Sequence, residues 1–374
     1  MGGHALVLPA VLALSAALAS PQDPARNSRL LGSDPARTRQ YLSMVERYAA
    51  GDRAEALAAL EDWTQNELQF EVEKLRDLGV AARGLPLRAV AMLHTDKAGL
   101  ELGTVPPDEG EARCRSNFHL ELAAEIVPLL TSWEEGRAFA RRWYLATALE
   151  SHGRFCFIDA RRWAQGGLKW FPKDAELLLA SGTTDEALGS LPGWSHVRLD
   201  AFPTQRRLRE SMGLLSDRRS YLDRARRAFE RALATDGNLG EAWLRLGRVE
   251  WGLAHGDAAR RALLEGLGRA REPSVLYLGY LFLGQVHEDA GRLEEAAREY
   301  RAALAVDPLA QAAAVALSWV LQVAGDVTGS RDVLDQAVAS VGRRPHADAH
   351  WDYLFGRSAD AGPIFEELRS ETLQ

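Results

Sequence analysis

The chain has 374 residues, 45 of them basic and 52 acidic, which gives a formal net charge of −7. This balance excludes a globally basic nucleic-acid-binding protein and a membrane attachment that depends on a cationic surface. With 47% hydrophobic and 26% charged residues, the composition is that of an ordinary folded protein whose length suits roughly two to three domains.

The N-terminus has the pattern of a secretory signal. Residues 5–19 carry no charge and form an apolar run too short to span a bilayer comfortably. The run ends in the small-x-small sequence ALA just before Ser20, which is the pattern that signal peptidase recognises. We therefore predict a signal peptide over residues 1–19, a linker over residues 20–36, and export to the periplasm or the extracellular space. No integral membrane segment is expected after cleavage.

From residue 37 onward the predicted elements are helices. Residues 37–140 form an N-terminal helical region in which residues 41–63 have the pattern of one degenerate helical hairpin, with Gly51 at the turn. Between residues 79 and 131 the sequence predicts helices but shows no repeat register.

The clearest helical hairpin lies at residues 274–308. Apolar residues recur at helical spacing, Gly291 is suited to a left-handed C-terminal cap, and a second amphipathic helix ends before Pro308. The segment resembles a tetratricopeptide repeat, a unit of about 34 residues in which two antiparallel helices pack through fixed small and large positions. Its signature positions are occupied by Tyr280, Leu283, Gly284, Ala296, Tyr300, Ala303 and Pro308.

The same register recurs over residues 141–344. Units begin near residues 141, 206, 240, 277 and 311, and a degenerate unit at 175 loses its second helix to a loop at 191–203. The resemblance implies an all-α fold, a solenoid of tetratricopeptide-like helical hairpins with degenerate N-terminal units. Residues 345–374 contain aromatic residues and a closing helix, and we expect them to cap the end of the array.

The sequence shows no pattern typical of a catalytic or cofactor site. His346 and His350 are four residues apart, but Pro345 precedes them and the adjacent glutamate of a zinc protease is missing. No glycine precedes a lysine as in a phosphate-binding loop, and there is no G-x-S-x-G motif. We therefore predict no catalytic residue, no metal site and no cofactor.

The two cysteines allow two interpretations. Cys114 and Cys156 pair in an oxidising compartment, or they stay apart as a loop cysteine and a core cysteine. The residues themselves favour neither interpretation, because the sequence gives no distance between the two sulfurs.

The resemblance also implies a function. Tetratricopeptide arrays generally bind proteins, and their stacked first helices line a concave groove that holds a partner segment. The family's groove positions correspond here to Leu244, Arg248, Trp251, Leu281, Gln285, Glu288, Val315, Trp319 and Gln322. Chaperone-binding members carry a carboxylate clamp, whose positions here hold Glu210, Leu214, Arg245, Leu278 and Phe282. Only one of these is basic, so that clamp is not expected.

We therefore expect a non-enzymatic scaffold that binds another protein outside the cytoplasm and binds no nucleic acid. The alternative is a small-ligand-binding or enzymatic role located in the irregular residues 79–131 or 191–203. Self-association by end-to-end stacking of helical arrays is left open by the sequence.

Overall fold

A computed structural model describes residues 35–78, 86–104, 114, 117–190, 205–339, 348–354 and 360–373, with residues 205–217 described through their backbone alone. Across these ranges every regular element is a helix. The predicted signal peptide and nearly all of the predicted linker lie outside the described residues. No helix in the described part is long and apolar enough to cross a membrane.

The helices are numbered in chain order. The first nine are α1 (Pro35–Ala49), α2 (Arg53–Ala59), α3 (Gln65–Leu78), α4 (Leu87–Gly103), α5 (Phe118–Leu130), α6 (Glu134–Gly153), α7 (Phe157–Trp170), α8 (Ala175–Gly189) and α9 (Gln205–Thr235). The chain continues with α10 (Gly240–Gly252), α11 (Gly256–Arg269), α12 (Pro273–Asp289), α13 (Leu293–Val306), α14 (Gln311–Val323), α15 (Val327–Ala339), α16 (Ala349–Leu354) and α17 (Gly362–Ser370).

The chain divides into two compact units. The first comprises residues 1–146 together with 361–374, and the second comprises residues 147–360. In the first unit, α1 and α2 form a hairpin whose turn contains Gly51 at a φ of +100°, a conformation that glycine adopts without strain. Helices α4 and α5, which lie in the region without repeat register, pack against each other in the same unit.

The second unit consists of consecutive helical hairpins. Helices α8 and α9, α10 and α11, α12 and α13, and α14 and α15 form these pairs. Each second helix packs on the first helix of the next pair, and the first helices α8, α10 and α12 also contact one another in sequence. This arrangement confirms the predicted all-α solenoid of tetratricopeptide-like hairpins.

Three of the hairpins close through the same contact of a small residue against a large one. A Cβ added to the glycine of the first helix would come within 2.4–2.6 Å of the large side chain on the second. The pairs are Gly182 with Phe229, Gly247 with Leu263, and Gly284 with Tyr300. Since real Cβ atoms do not approach neighbours so closely, glycine is what allows the two helices to cross at this distance.

One predicted unit has no hairpin of its own. Helix α9 is continuous from Gln205 to Thr235, so the unit predicted to begin at residue 206 contains no turn. The C-terminal half of α9 packs on α8, where Phe229 meets Gly182. The units predicted at 175 and 206 are therefore one repeat with a long insertion between its helices. Residues 216–220 include neither glycine nor proline, so nothing there breaks the helix. The loop predicted at 191–203 lies outside the described residues.

The described C-terminal helices do not stack together as one cap on the last hairpin. Helix α16 packs on α12 within the second unit, whereas α17 packs on α4 within the first. Arg369 of α17 binds Asp96 of α4 through contacts of 2.9–3.2 Å. The last hairpin keeps large hydrophobic side chains exposed, namely Val315, Trp319, Val323, Val327, Leu334 and Val338.

Candidate functional site

Residues 348–354, which we call the internal segment, lie on the first helices of successive hairpins. The segment contacts Glu186 on α8, Arg245 on α10, Phe282 on α12 and Ala312 on α14. We call this surface the first-helix face. Arg245 and Phe282 on this face stand at the clamp positions that the tetratricopeptide resemblance implies, and in this structure they contact a piece of the chain itself.

Tyr353 is the buried aromatic side chain of the internal segment. Its hydroxyl donates a hydrogen bond to Oε1 of Glu186. Its ring packs edge-on against Phe282, with ring centres 4.9 Å apart, and the guanidinium carbon of Arg245 lies 4.8 Å from the ring centre. Tyr353 is buried and belongs to the same hydrophobic cluster as the core of α12. The tyrosine is thus recognised by its ring and by its hydroxyl at once.

A buried ion pair forms the floor of the tyrosine site. Arg245 donates from Nη1 to Oε2 of Glu186 at 2.9 Å and from Nε to Oε1 of Glu241 at 2.8 Å. Burial raises the pKa of Glu186, and Arg245 opposes that rise. Burial lowers the pKa of Arg245, but the carboxylates of Glu241 and Glu186 more than offset this and leave it raised. Because buried charges are costly without partners, the second oxygen of Glu186 has a strong need for a donor.

Asp348 holds the other end of the internal segment. One carboxylate oxygen accepts a hydrogen bond from the backbone N–H of His350 at 2.9 Å, and the other accepts from the backbone N–H of Ala312 at 3.0 Å. Ala312 lies in the first turn of α14, whose own N-cap residue, Ala310, has no side chain that can cap the helix. Asp348 therefore supplies to α14 the carboxylate that its own sequence lacks, where the helix dipole favours negative charge.

His350 lies between these two anchors. Its ring centre is 6.0 Å from that of Phe282. Burial lowers the pKa of His350 to about 4, with Asp348 acting to raise it and Arg248 acting to lower it. Nδ1 of His350 is buried and has no hydrogen-bond partner within the described part of the chain. His346, its predicted companion four residues earlier, lies outside the described residues.

The structure distributes the predicted groove residues over three settings. Leu244 and Leu281 are buried in the core. Half-buried positions are Arg248, Trp251, Gln285 and Glu288. Fully exposed positions on α14 are Val315, Trp319 and Gln322. Their role in binding a partner stays a prediction.

The half-buried residues already have contacts within the unit. The guanidinium of Arg248 lies over the rings of Trp251 and Phe282, at 4.2 and 5.2 Å from their centres. Trp251 donates to Asp289 at 2.6 Å. Glu288 accepts a hydrogen bond from Tyr300 at 2.6 Å and so braces the hairpin of α12 and α13. Of these residues, Arg248 is the one that shares an aromatic neighbour, Phe282, with the internal segment.

Sequence reasoning missed the residues that recognise the internal segment. The sequence assigns Arg245 and Phe282 only to positions of a carboxylate clamp that is not expected here. It assigns Tyr353 only to the aromatic residues of the predicted C-terminal cap. Nothing in the sequence connects Tyr353 with Glu186, which lies 167 positions away. The available signal was the absence of a capping residue before α14, at Ala310, together with the isolated Asp348.

Two further observations concern the cysteines and the metal-ligating side chains. Cys114 and Cys156, the only cysteines of the chain, are both disulfide-bonded in the structure. Within the described residues no three metal-ligating side chains come together.

The irregular region of the first unit contains a buried polar chain. The hydroxyl of Tyr41 lies 2.9 Å from Nε2 of His94, and Nδ1 of His94 lies 2.9 Å from Nδ1 of His119. Nε2 of His119 is 3.5 Å from a carboxylate oxygen of Glu101. Burial lowers the pKa of His94 to about 3 and also lowers the pKa of His119. Both histidines are buried, so this chain is suited to linking α1, α4 and α5 rather than to meeting a substrate.

The geometry settles the type of fold. The second unit is a tetratricopeptide-like solenoid. No family model matches the sequence, and no curated protein matches it. Similar solved structures include MamA, at 18% identity and a TM-score of 0.39, with 52% of this chain and 94% of that chain covered. PilF of Pseudomonas aeruginosa is 15% identical over 63% of this chain and 93% of that chain, with a TM-score of 0.44.

MamA from Desulfovibrio magneticus RS-1 is similar at the same level. It is 15% identical, with 55% of this chain and 97% of that chain covered and a TM-score of 0.41. At such TM-scores these likenesses carry no argument about function or partner.

Proposed function

We propose that this protein is a non-enzymatic scaffold that binds a segment of another protein on its first-helix face, outside the cytoplasm. The observation that supports this most strongly is that the face already holds a peptide segment of the chain. The segment is held through a buried hydroxyl, a packed aromatic ring and a capping carboxylate. Buried aromatic anchors of this kind dominate the energetics of protein interfaces.

The export part of the proposal rests on two separate observations. The N-terminal pattern is that of a secretory signal, and both cysteines are disulfide-bonded. Disulfides persist in oxidising compartments and are rare in the cytosol. The alternative, a ligand-binding or enzymatic role in residues 79–131, is weakened because His94 and His119 are packed inside the first unit.

Site-specific photo-crosslinking in the native envelope tests the scaffold proposal. The crosslinking amino acid replaces Arg248 on the first-helix face or, as the matched control, Arg298, which is exposed on the second helix α13. We expect a defined protein adduct from position 248 and none from position 298. Equal adducts from both positions would place the partner elsewhere. Absence of any adduct, also when Tyr353→Ala loosens the internal segment, would contradict the scaffold role.

A further inference from the structure

The internal segment is too short to be a stable helix by its own hydrogen bonds. Helix α16 has six residues, whereas isolated helices shorter than about 12–15 residues are marginal in water. Its helical form therefore depends on the contacts that Asp348 and Tyr353 make with the first-helix face. Between these two anchors, Trp351 points outward and is 45% exposed. Because α16 is short, its release breaks fewer contacts than unfolding of the long helices beneath it.

The two anchors define a recognition pattern. Asp348 meets an uncapped helix N-terminus at Ala312, and Tyr353, five residues later, meets a buried carboxylate that accepts from its hydroxyl. When the internal segment leaves, the N-terminus of α14 loses its cap and Glu186 loses one of its donors. Both losses expose groups that a new ligand of the same chemistry would satisfy.

We propose that residues 348–354 act as an internal competitor, and that the partner is a protein segment carrying an acidic residue followed five positions later by a tyrosine. This inference rests on the proposed function in that the partner uses the same first-helix face. It adds to that function the chemistry of the partner and a means of keeping the face closed in its absence.

The tyrosine hydroxyl is the most specific part of this pattern. A site whose buried carboxylate needs a donor discriminates against a ligand that lacks the hydroxyl, because the carboxylate is then left unpaired. Phenylalanine in place of the tyrosine preserves the contact with Phe282 and the packing under Arg245. The pair of tyrosine and phenylalanine therefore separates hydroxyl recognition from hydrophobic packing.

Binding of a fluorescent peptide copy of residues 346–356 to the full chain tests the proposal. We compare the wild type with a variant carrying Asp348→Ala and Tyr353→Ala, in which both anchors are lost, and with Trp351→Ala as the matched control on the same helix. We expect the anchor variant to bind the peptide at least ~10-fold more tightly than the wild type and the Trp351→Ala variant do. Thermal melting of each variant verifies that it is folded, and the milder Tyr353→Phe variant gives a second, smaller opening.

The peptide itself supplies the test of chemistry. A copy with phenylalanine in place of Tyr353, or with alanine in place of Asp348, is expected to bind the anchor variant at least ~10-fold more weakly. Equal affinity of the wild type and the anchor variant would overturn the competitor role. Equal affinity of the three peptides would overturn the partner pattern. Formation of dimers by the wild type, with segments exchanged between copies, would overturn an external partner in favour of a second copy of this chain.

The outcomes separate this inference from the proposed function. A partner crosslinked at position 248, with equal peptide affinity of the wild type and the anchor variant, would support the scaffold role and contradict the internal competitor. Tyrosine-dependent peptide binding by the anchor variant, without any crosslinked partner, would support the proposed recognition pattern and contradict the scaffold role.

Discussion

At the scale of single residues, the hairpins depend on glycines that no other residue replaces without displacement. At Gly284 an added Cβ would lie 2.4 Å from a ring atom of Tyr300, which is itself fully buried. The gain in helix propensity from alanine is smaller than the cost of moving a packed ring. This contact is the physical reason why the repeat register is visible in the sequence.

We expect Gly284→Ala to lower the free energy of unfolding by about 1–3 kcal/mol because of this overpacking. The matched control is Gly268→Ala on α11, where an added Cβ meets no atom within 4 Å and helix propensity is expected to raise stability by up to about 1 kcal/mol. Urea unfolding followed by circular dichroism measures both. Equal effects of the two substitutions would show that the crossing does not require glycine.

The burial of His94 makes the free energy of unfolding depend on pH. Burial and the neighbouring His119 lower the pKa of His94 to about 3, whereas an unfolded histidine titrates near about 6.5. The unfolded chain therefore binds the proton first as the pH falls. Stability from this group is fully present above about pH 6.5 and is lost progressively towards about pH 3.

For His94 we expect a loss of ~1.4 kcal/mol in the free energy of unfolding at about pH 5.5 relative to about pH 7.5. His94→Gln keeps a hydrogen-bonding side chain next to Tyr41 but cannot titrate, so its loss over the same interval is expected to be smaller by about that amount. Urea titrations at the two pH values measure the difference. A variant as sensitive to pH as the wild type would show that His94 is not the titrating group.

At the scale of elements, the predictable parts are those with local signals. The α10–α11 hairpin is predictable because small residues, here Gly247 and Ala259, and large residues recur at fixed spacing within one unit. The sequence register divides the repeat of α8 and α9 into two units, because an insertion separates its helices. Gly182 packs against Phe229, which lies 47 positions later in the chain. A register read in steps of one repeat length cannot bridge such a gap.

The site was less predictable than the fold for the same reason. Tyr353 and Glu186 meet only after the array has formed, and no local pattern connects them. The resemblance predicts partner contacts on the first helices, and Arg248 lies there beside Phe282. It gave no indication that residues of the predicted cap, such as Asp348, would occupy that face.

The internal segment is expected to open more readily than the helices beneath it. We predict that amides of α16 exchange with deuterium well before those of α12, because α16 depends on two anchors and has too few residues to sustain itself. Native-state hydrogen exchange measured by mass spectrometry resolves the two helices. Tyr353→Ala is expected to speed exchange in α16 while leaving α4 of the first unit unchanged. Exchange of α16 only together with α12 would contradict an independently opening segment.

At the scale of the whole molecule, the disulfide bears on the export that we propose, because disulfides persist in oxidising compartments. We expect protein purified from the periplasm or the medium to resist alkylation at Cys114 and Cys156 until it is reduced. Reduction is expected to lower the free energy of unfolding by about 3–4 kcal/mol in the chain-entropy description. Mass spectrometry of alkylated protein, with and without reductant, measures the first effect. Alkylation of both cysteines before reduction would contradict an oxidised, exported protein.

We propose that the first-helix face holds residues 348–354 until a partner segment replaces them. Fluorine NMR on a single fluorotyrosine introduced at Tyr353 observes this exchange most directly. We expect a main resonance from the buried ring and a second, solvent-like resonance that grows as the peptide copy of residues 346–356 is added. A single resonance that does not change at saturating peptide would show that Tyr353 is a fixed part of the core. That result would contradict the role of residues 348–354 as an internal competitor.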